Sequence, residues 1–129
     1  MAITWIIGNS DAGKTTLAHA ILEYDTTYNN NMHDDVLHPY YKPILLDGNY
    51  MRDIWDDLGL SKKDRITQNI RVAKLAKMLE DQGHNVVVSV ICPYRELRAT
   101  VKKITNCKFI YIEGGKKGKD YPFDQPELY

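Results

Sequence analysis

Thiols are scarce in this chain: Cys92 and Cys107 are the only cysteines in 129 residues, and neither sits in a Cys-x-x-Cys or Cys/His ligand spacing. That excludes a disulfide framework or a zinc module as the organising principle, and points to a reduced, cytoplasmic protein. An excess of one charge is missing too, since 17 Lys and Arg balance 17 Asp and Glu to a formal net charge of zero. Bulk attraction to nucleic acid or to a membrane surface is therefore not expected. Long apolar runs are absent as well. The N-terminal run spans only Ile3 to Ile7, has no basic lead and flows straight into a glycine-containing loop, so it reads as neither a signal peptide nor a membrane span. With no internal repeat and no linker, the length suits one domain over residues 1–129.

What is present begins at that loop. Gly8 to Thr15 read G-N-S-D-A-G-K-T, a complete phosphate loop between an apolar strand and the helix-forming stretch Lys14 to Tyr24. Gly8 allows the sharp turn off the strand and Gly13 allows close backbone approach, so successive N–H groups can cradle phosphate oxygens. Lys14 adds a cation for the outer phosphates, the Thr15 hydroxyl can ligate Mg²⁺, and the helix offers its positive end to the same anion. The nucleotide-binding set is accordingly Gly8, Asn9, Ser10, Asp11, Ala12, Gly13, Lys14, Thr15 and Thr16, with ATP and Mg²⁺ as the expected occupants.

The rest of the chain alternates strand and helix signals. Ile3 to Ile7 is continuously apolar or β-forming, as for a central strand buried on both faces. Asp25 to Pro43 is crowded with Asn, Asp, His, Tyr and Pro and reads as an irregular surface excursion; within it His33, Asp34, Asp35 and His38 lack any recognised ligand spacing. Ile44 to Leu46, Asn85 to Ile91 and Lys108 to Ile112 are further strands. Ser61 caps a long helix that ends at Gly83, with Ile66, Ile70, Ala73 and Ala76 as its apolar stripe, and Tyr94 to Ile104 is another helix. The fold class expected is α/β: a P-loop NTPase of the kinase type, with a mostly parallel sheet of about four to five strands and helices on both faces.

Ligands gather at the carboxyl ends of parallel strands, and two of those ends are chemically loaded: Asp47-Gly48-Asn49-Tyr50-Met51-Arg52, and Ser89 to Arg95. Between them Arg65 and Asn69 stand one helical turn apart on one face. An acid, several arginines and an amide can thus meet in one cleft. The bland alternatives are that Asp47 caps a following helix and that Arg65 and Asn69 are a solvated helix face.

These residues carry a resemblance. The phosphate loop followed by Thr16-Leu17-Ala18, the Leu46-Asp47-Gly48 to Arg52 segment, Leu58-Gly59-Leu60-Ser61 through Asp64-Arg65 to Asn69-Ile70-Arg71, the stretch Ala73 to Gly83, and Ser89 to Arg95 together resemble the adenylylsulfate kinases. Members phosphorylate the ribose 3′-hydroxyl of adenosine 5′-phosphosulfate with MgATP. The resemblance implies that Asp47 and Lys14 are catalytic, that Thr15 and Asp47 attend the metal, directly or through water, and that Asp47, Asn49, Arg52, Leu60, Arg65, Asn69, Ile91 and Cys92 contact the acceptor. It implies a small nucleotide acceptor as partner, leaves a homodimer open, and involves no nucleic acid or membrane. Against the family pattern, Asn49 replaces an acid, Leu60 an aromatic ring and Cys92 a serine. The usual lid is replaced by Glu113-Gly114-Gly115-Lys116-Lys117-Gly118-Lys119, which reads either as a miniature lid or as a solvated turn. Trp5 and Trp55 read as packing aromatics, Trp55 with a second option of walling the acceptor cleft. Tyr111, Tyr121, Phe123 and Tyr129 either dock the tail or supply a stacking surface. His19 and His84 read as surface positions. Two alternatives accompany the kinase reading: transfer to another nucleotide-like hydroxyl, and a nucleotide-binding regulatory module without turnover.

Overall fold

In the computed structural model, residues 2–9, 11–32, 43–119 and 122–126 are described, residues 24–32 as backbone only. Four strands, β1 (Ile3–Ile7), β2 (Ile44–Asp47), β3 (Val86–Ser89) and β4 (Lys108–Tyr111), form one all-parallel sheet in the order β2-β3-β1-β4. The helices are α1 (Lys14–Met32), α2 (Gly48–Ile54), α3 (Lys62–Asp81) and α4 (Arg95–Thr105). The α/β architecture read from the sequence is therefore observed, with four strands among the described residues.

Alternation along β1 explains why both sheet faces need cover. Ile3, Trp5 and Ile7 point into a core shared with Val72, Ala73 and Ala76 of α3 and Leu97 and Val101 of α4, whereas Ile6 points the other way onto Ala18 and Leu22 of α1. Trp5 is fully buried and meets Phe109 of β4 edge-on, ring centroids 6.4 Å apart. Among the described residues, no helix is long and apolar enough to cross a membrane.

Element ends follow local chemistry. Ser61 caps α3, its Oγ accepting the Asp64 N–H at 3.1 Å, while the Asp64 carboxylate accepts the Gly59 N–H at 2.9 Å. Gly83 adopts a left-handed φ of 96° just past the helix, as its position after a long helical pattern foretells.

Apart from shifts of a single residue at element ends, three features differ from the sequence reading. Helix α1 continues through Asp25 to Met32, where an irregular excursion was expected to start; residues 33–42, with His33, Asp34, Asp35 and His38, lie outside the described set. Strand β3 ends at Ser89, two residues earlier than expected; the Val90 N–H still donates to the Ile6 carbonyl at 3.3 Å, and Val90 and Ile91 line a cleft at the strand end. Helix α2, expected only as an alternative role for Asp47, exists, with Met51 buried against the core and the Gly48 carbonyl accepting from the buried Gln68 amide at 3.1 Å.

The tail docks. Phe123 packs against the main core and lies 5.5 Å from the Tyr111 ring, while Tyr121 and Tyr129 lie outside the described residues. Asp124 accepts the Arg95 N–H at 2.9 Å, so a residue 29 positions away supplies the cap that Tyr94, the local cap position of α4, lacks. Arg98, only 1% exposed, donates to the carbonyls of Cys92, Asp124 and Gln125 and lies against the Phe123 ring, joining tail, α4 and the segment after β3.

Candidate active site

The phosphate loop lies where β1 ends and α1 begins, in a conformation that two glycines make accessible. A Cβ on Gly8 would fall 2.7 Å from the Ile112 carbonyl oxygen, a backbone atom that cannot swing aside, so this contact requires glycine. Gly13 has φ of 102°, a left-handed geometry, and Asp11 sits at φ of 65°, uncommon for a residue with a side chain. Asn9 acts through its carbonyl, which accepts the Ala12 N–H at 3.1 Å and the Lys14 ammonium at 2.9 Å. Ser10 lies outside the described residues. Burial pushes the Lys14 ammonium below its ordinary pKa; Asp47 and Asp11 oppose that shift, and Arg52 adds to it. An anion arriving beside Lys14 relieves the same electrostatic deficit.

Asp47 caps the following helix and also faces the phosphate loop. One carboxylate oxygen accepts the Asn49 N–H at 2.9 Å and caps α2; the other accepts the Thr15 hydroxyl at 3.2 Å. The capping bond fixes the carboxylate plane, and the free edge faces the phosphate loop. Asp47, 7% exposed, stands in register with Ser89 on the neighbouring strand, whose buried hydroxyl has no hydrogen-bond partner among the described residues. Thr15, Asp47 and Ser89 all line one space, and hard oxygen donors such as the Thr15 hydroxyl and the Asp47 carboxylate suit Mg²⁺. No group of three or more His, Cys, Asp or Glu residues placed to hold a metal occurs among the described residues.

That space is a cleft of about 420 Å³ lined by Asp11, Gly13, Lys14, Thr15, Thr16 and Asp47 on the donor-loop side. Gly48, Arg52, Val90 and Ile91 line it too, and the same four residues line a second hollow of about 30 Å³ together with Leu60, Arg65, Gln68 and Asn69. The two recesses therefore share a wall. Arg52 is held by Asn49, NH2 to Oδ1 at 3.2 Å, so the residue that replaces the family acid positions a guanidinium. Arg65 donates from Nε to the Leu60 carbonyl at 2.9 Å, and Asn69 donates to the Arg65 and Ile91 carbonyls at 2.8 and 3.2 Å. The Asn69 Oδ1 is buried without a partner among the described residues, leaving an acceptor at the back of the hollow. Leu60 stands 61% exposed at its rim.

Position corrects one expectation and decides between two readings of another residue. Cys92 is fully buried in the main core, lines neither recess, and contributes its carbonyl to Arg98, because the chain turns inward after Ile91. Trp55 likewise lines neither recess; it packs partly against the core under the Arg71 guanidinium, 5.7 Å from the ring centroid. Gly48, Gln68, Ser89 and Val90 belong to the walls, although none of them was individually given a site role beforehand. Their only signal was sequence proximity to loaded strand ends or, for Gln68, a polar residue beside an apolar helical stripe.

Comparison with known proteins agrees with this geometry. Residues 1–114 match the family model for adenylylsulphate kinase. A probable adenylyl-sulfate kinase of Archaeoglobus fulgidus is 34% identical over 102 residues, 78% of this chain and 59% of that protein. A cytidine diphosphoramidate kinase of Campylobacter jejuni is 32% identical over 112 residues, 86% of this chain and again 59% of the relative. The APS kinase of Mycobacterium tuberculosis, solved in complex with AMPPNP and APS, superposes with a TM-score of 0.68 at 28% identity, covering 85% of this chain and 60% of that one. The chain thus spans about three fifths of the length of these relatives. A match along nearly the whole sequence, together with the shared parallel sheet and phosphate loop, makes this chain a member of the adenylylsulphate kinase family.

Proposed function

We propose that the chain is a magnesium-dependent kinase that moves the γ-phosphoryl group of ATP to the ribose 3′-hydroxyl of adenosine 5′-phosphosulfate. The observation that carries this reading is the place of Asp47, bonded to Thr15 of the phosphate loop at 3.2 Å and followed by Gly48 and Arg52, which line both recesses. The acceptor oxygen attacks the γ-phosphorus, the bond from that phosphorus to the bridging β-γ oxygen breaks, and ADP leaves while Asp47 takes the hydroxyl proton. Lys14 holds the transferring group by charge, and Mg²⁺, when bound through Thr15 and Asp47, neutralises the phosphate oxygens. Arg52 and Arg65 offer guanidinium forks to the phosphosulfate, and Asn69 and Ile91 border the nucleoside. Phosphoryl transfer asks mainly for alignment and charge neutralisation, which this set supplies.

A second reading keeps the reaction and replaces the adenine with a smaller pyrimidine. The narrow 30 Å³ hollow and the aliphatic Leu60 at its rim favour it, and a relative is a cytidine diphosphoramidate kinase. An acceptor screen separates the readings: purified protein and MgATP are supplied with adenosine 5′-phosphosulfate or with cytidine diphosphate derivatives, and ADP and phosphorylated product are followed. Turnover with the phosphosulfate alone supports the first, turnover with the cytidine compounds alone the second. ATP binding without acceptor-dependent turnover would refute both and leave a nucleotide-binding regulatory module.

A further inference from the structure

Two oppositely charged side chains on the donor side have no role in the reading above. Asp11 belongs to the phosphate loop itself, yet its carboxylate lines the cleft that a polyphosphate would enter. Lys116 comes from the Gly/Lys turn after β4, lines the same cleft, and brings its ammonium to 3.6 Å from the Asp11 carboxylate. Gly114, Gly115 and Gly118 all take left-handed φ values, 107°, 72° and 115°, which lets the backbone fold tightly on both sides of that lysine. Before this segment, the Ile112 N–H is bonded to the Ile7 carbonyl at 2.9 Å; beyond it, the Asp124 N–H is bonded to the Pro93 carbonyl at 2.7 Å. Lys116 is therefore carried over the phosphate loop by a segment anchored at both ends.

The charges specify what it does there. A carboxylate beside the path of a triphosphate repels it unless a cation intervenes. Both partners are half exposed or more, so the contact is a weak, solvent-screened one that a more highly charged anion displaces readily. We propose that Lys116 is a ligand of the donor polyphosphate: Asp11 parks its ammonium above the cleft, and on nucleotide entry it exchanges the carboxylate for a phosphate oxygen, acting as a single-residue lid. The inference rests on the donor side of the proposed function and is independent of the acceptor.

Calorimetric titration of the whole chain with AMPPNP plus Mg²⁺, and separately with adenosine, tests it without any acceptor. Lys116→Ala is expected to weaken AMPPNP about tenfold, as for the loss of one charge-assisted hydrogen bond, and to leave adenosine unchanged. Lys116→Arg should restore most of the affinity. Asp11→Asn should tighten AMPPNP by about two- to fivefold, a gain that shrinks as salt screens the exposed carboxylate. Binding of AMPPNP to Lys116→Ala within twofold of the unsubstituted protein, or an equal loss for adenosine, would overturn the assignment. Failure of the unsubstituted protein to bind AMPPNP would instead remove the donor reading, and this inference with it.

Discussion

Replacing Asp47 with asparagine separates its observed capping role from the proton-accepting role proposed for it. The asparagine oxygen can keep the cap on the Asn49 N–H, now made at 2.9 Å, and the Thr15 hydroxyl, now donating at 3.2 Å, can turn to accept from the new amide. Both hydrogen bonds survive in kind, so the expected loss of fold stability is below about 1 kcal/mol, less than the cost of deleting a cap outright. What disappears is the basic oxygen. Removing a positioned proton acceptor costs about 10²- to 10⁴-fold in rate, or roughly 3 to 5 kcal/mol of transition-state free energy. The assay is acceptor-dependent ADP formation under saturating MgATP, with AMPPNP affinity and melting temperature measured on the same sample. Asp47→Asn should melt near the unsubstituted protein, bind AMPPNP within a few fold, and lose at least a hundredfold in kcat. Asp47→Ala, which also leaves the Asn49 N–H uncapped, should lose a further ~1 kcal/mol of stability. Retention of kcat within threefold in Asp47→Asn would refute a proton-accepting role.

Lys14 gives a pH signature: burial lowers its pKa, so between that value and the ordinary lysine value of 10.5 the folded chain holds fewer protons than the unfolded one. In that window the ligand-free protein gains stability as pH rises, while AMPPNP affinity falls because the cation is lost; a Lys14→Met variant should show neither trend in melting or titration experiments. Asp124→Ala removes the remote cap of α4 at Arg95 and is expected to cost about 0.5 to 2 kcal/mol in chemical denaturation, with the m-value unchanged. Leu60→Phe puts a ring at the rim of the acceptor hollow; if an adenine nucleotide binds there, its KM should drop by about five- to a hundredfold, as for about 1 to 3 kcal/mol of base stacking, with kcat little changed.

The donor half of the site was legible because its chemistry is local: glycine, lysine and threonine at fixed spacing fold into a phosphate cradle wherever a strand precedes and a helix follows. Asp47, Arg52, Arg65 and Asn69 were legible as strand-end and helix-face residues. Their convergence depends on the β2-β3-β1 order, which spacing alone does not state. Misjudgements arose where composition and local pattern point away from the element observed. Residues 25–32 are rich in Asp, Thr and Asn, poor helix formers, yet α1 continues through them. Helix α2, seven residues long, has too few turns to display periodicity and is held by Met51 in the core and by Gln68. Cys92 follows Ile91 directly yet is buried in the core while Ile91 lines both recesses, a difference invisible in composition. The Asp124 cap spans 29 residues, a distance no capping motif encodes.

Fastening the lysine turn at both ends has a kinetic implication. A short span between fixed points loses little additional freedom when it settles on a ligand, and its described part, residues 113–119, forms no helix that could swing as a cover. Nucleotide entry and product departure then need only side-chain and local backbone movement, on timescales far shorter than domain opening. The same shallow roof shields the reacting phosphorus less completely from bulk solvent. If the proposed transfer runs under this roof, fast exchange and a measurable leak of phosphoryl groups to water should appear together, in a ratio set by how tightly a few residues of backbone sit over the cleft.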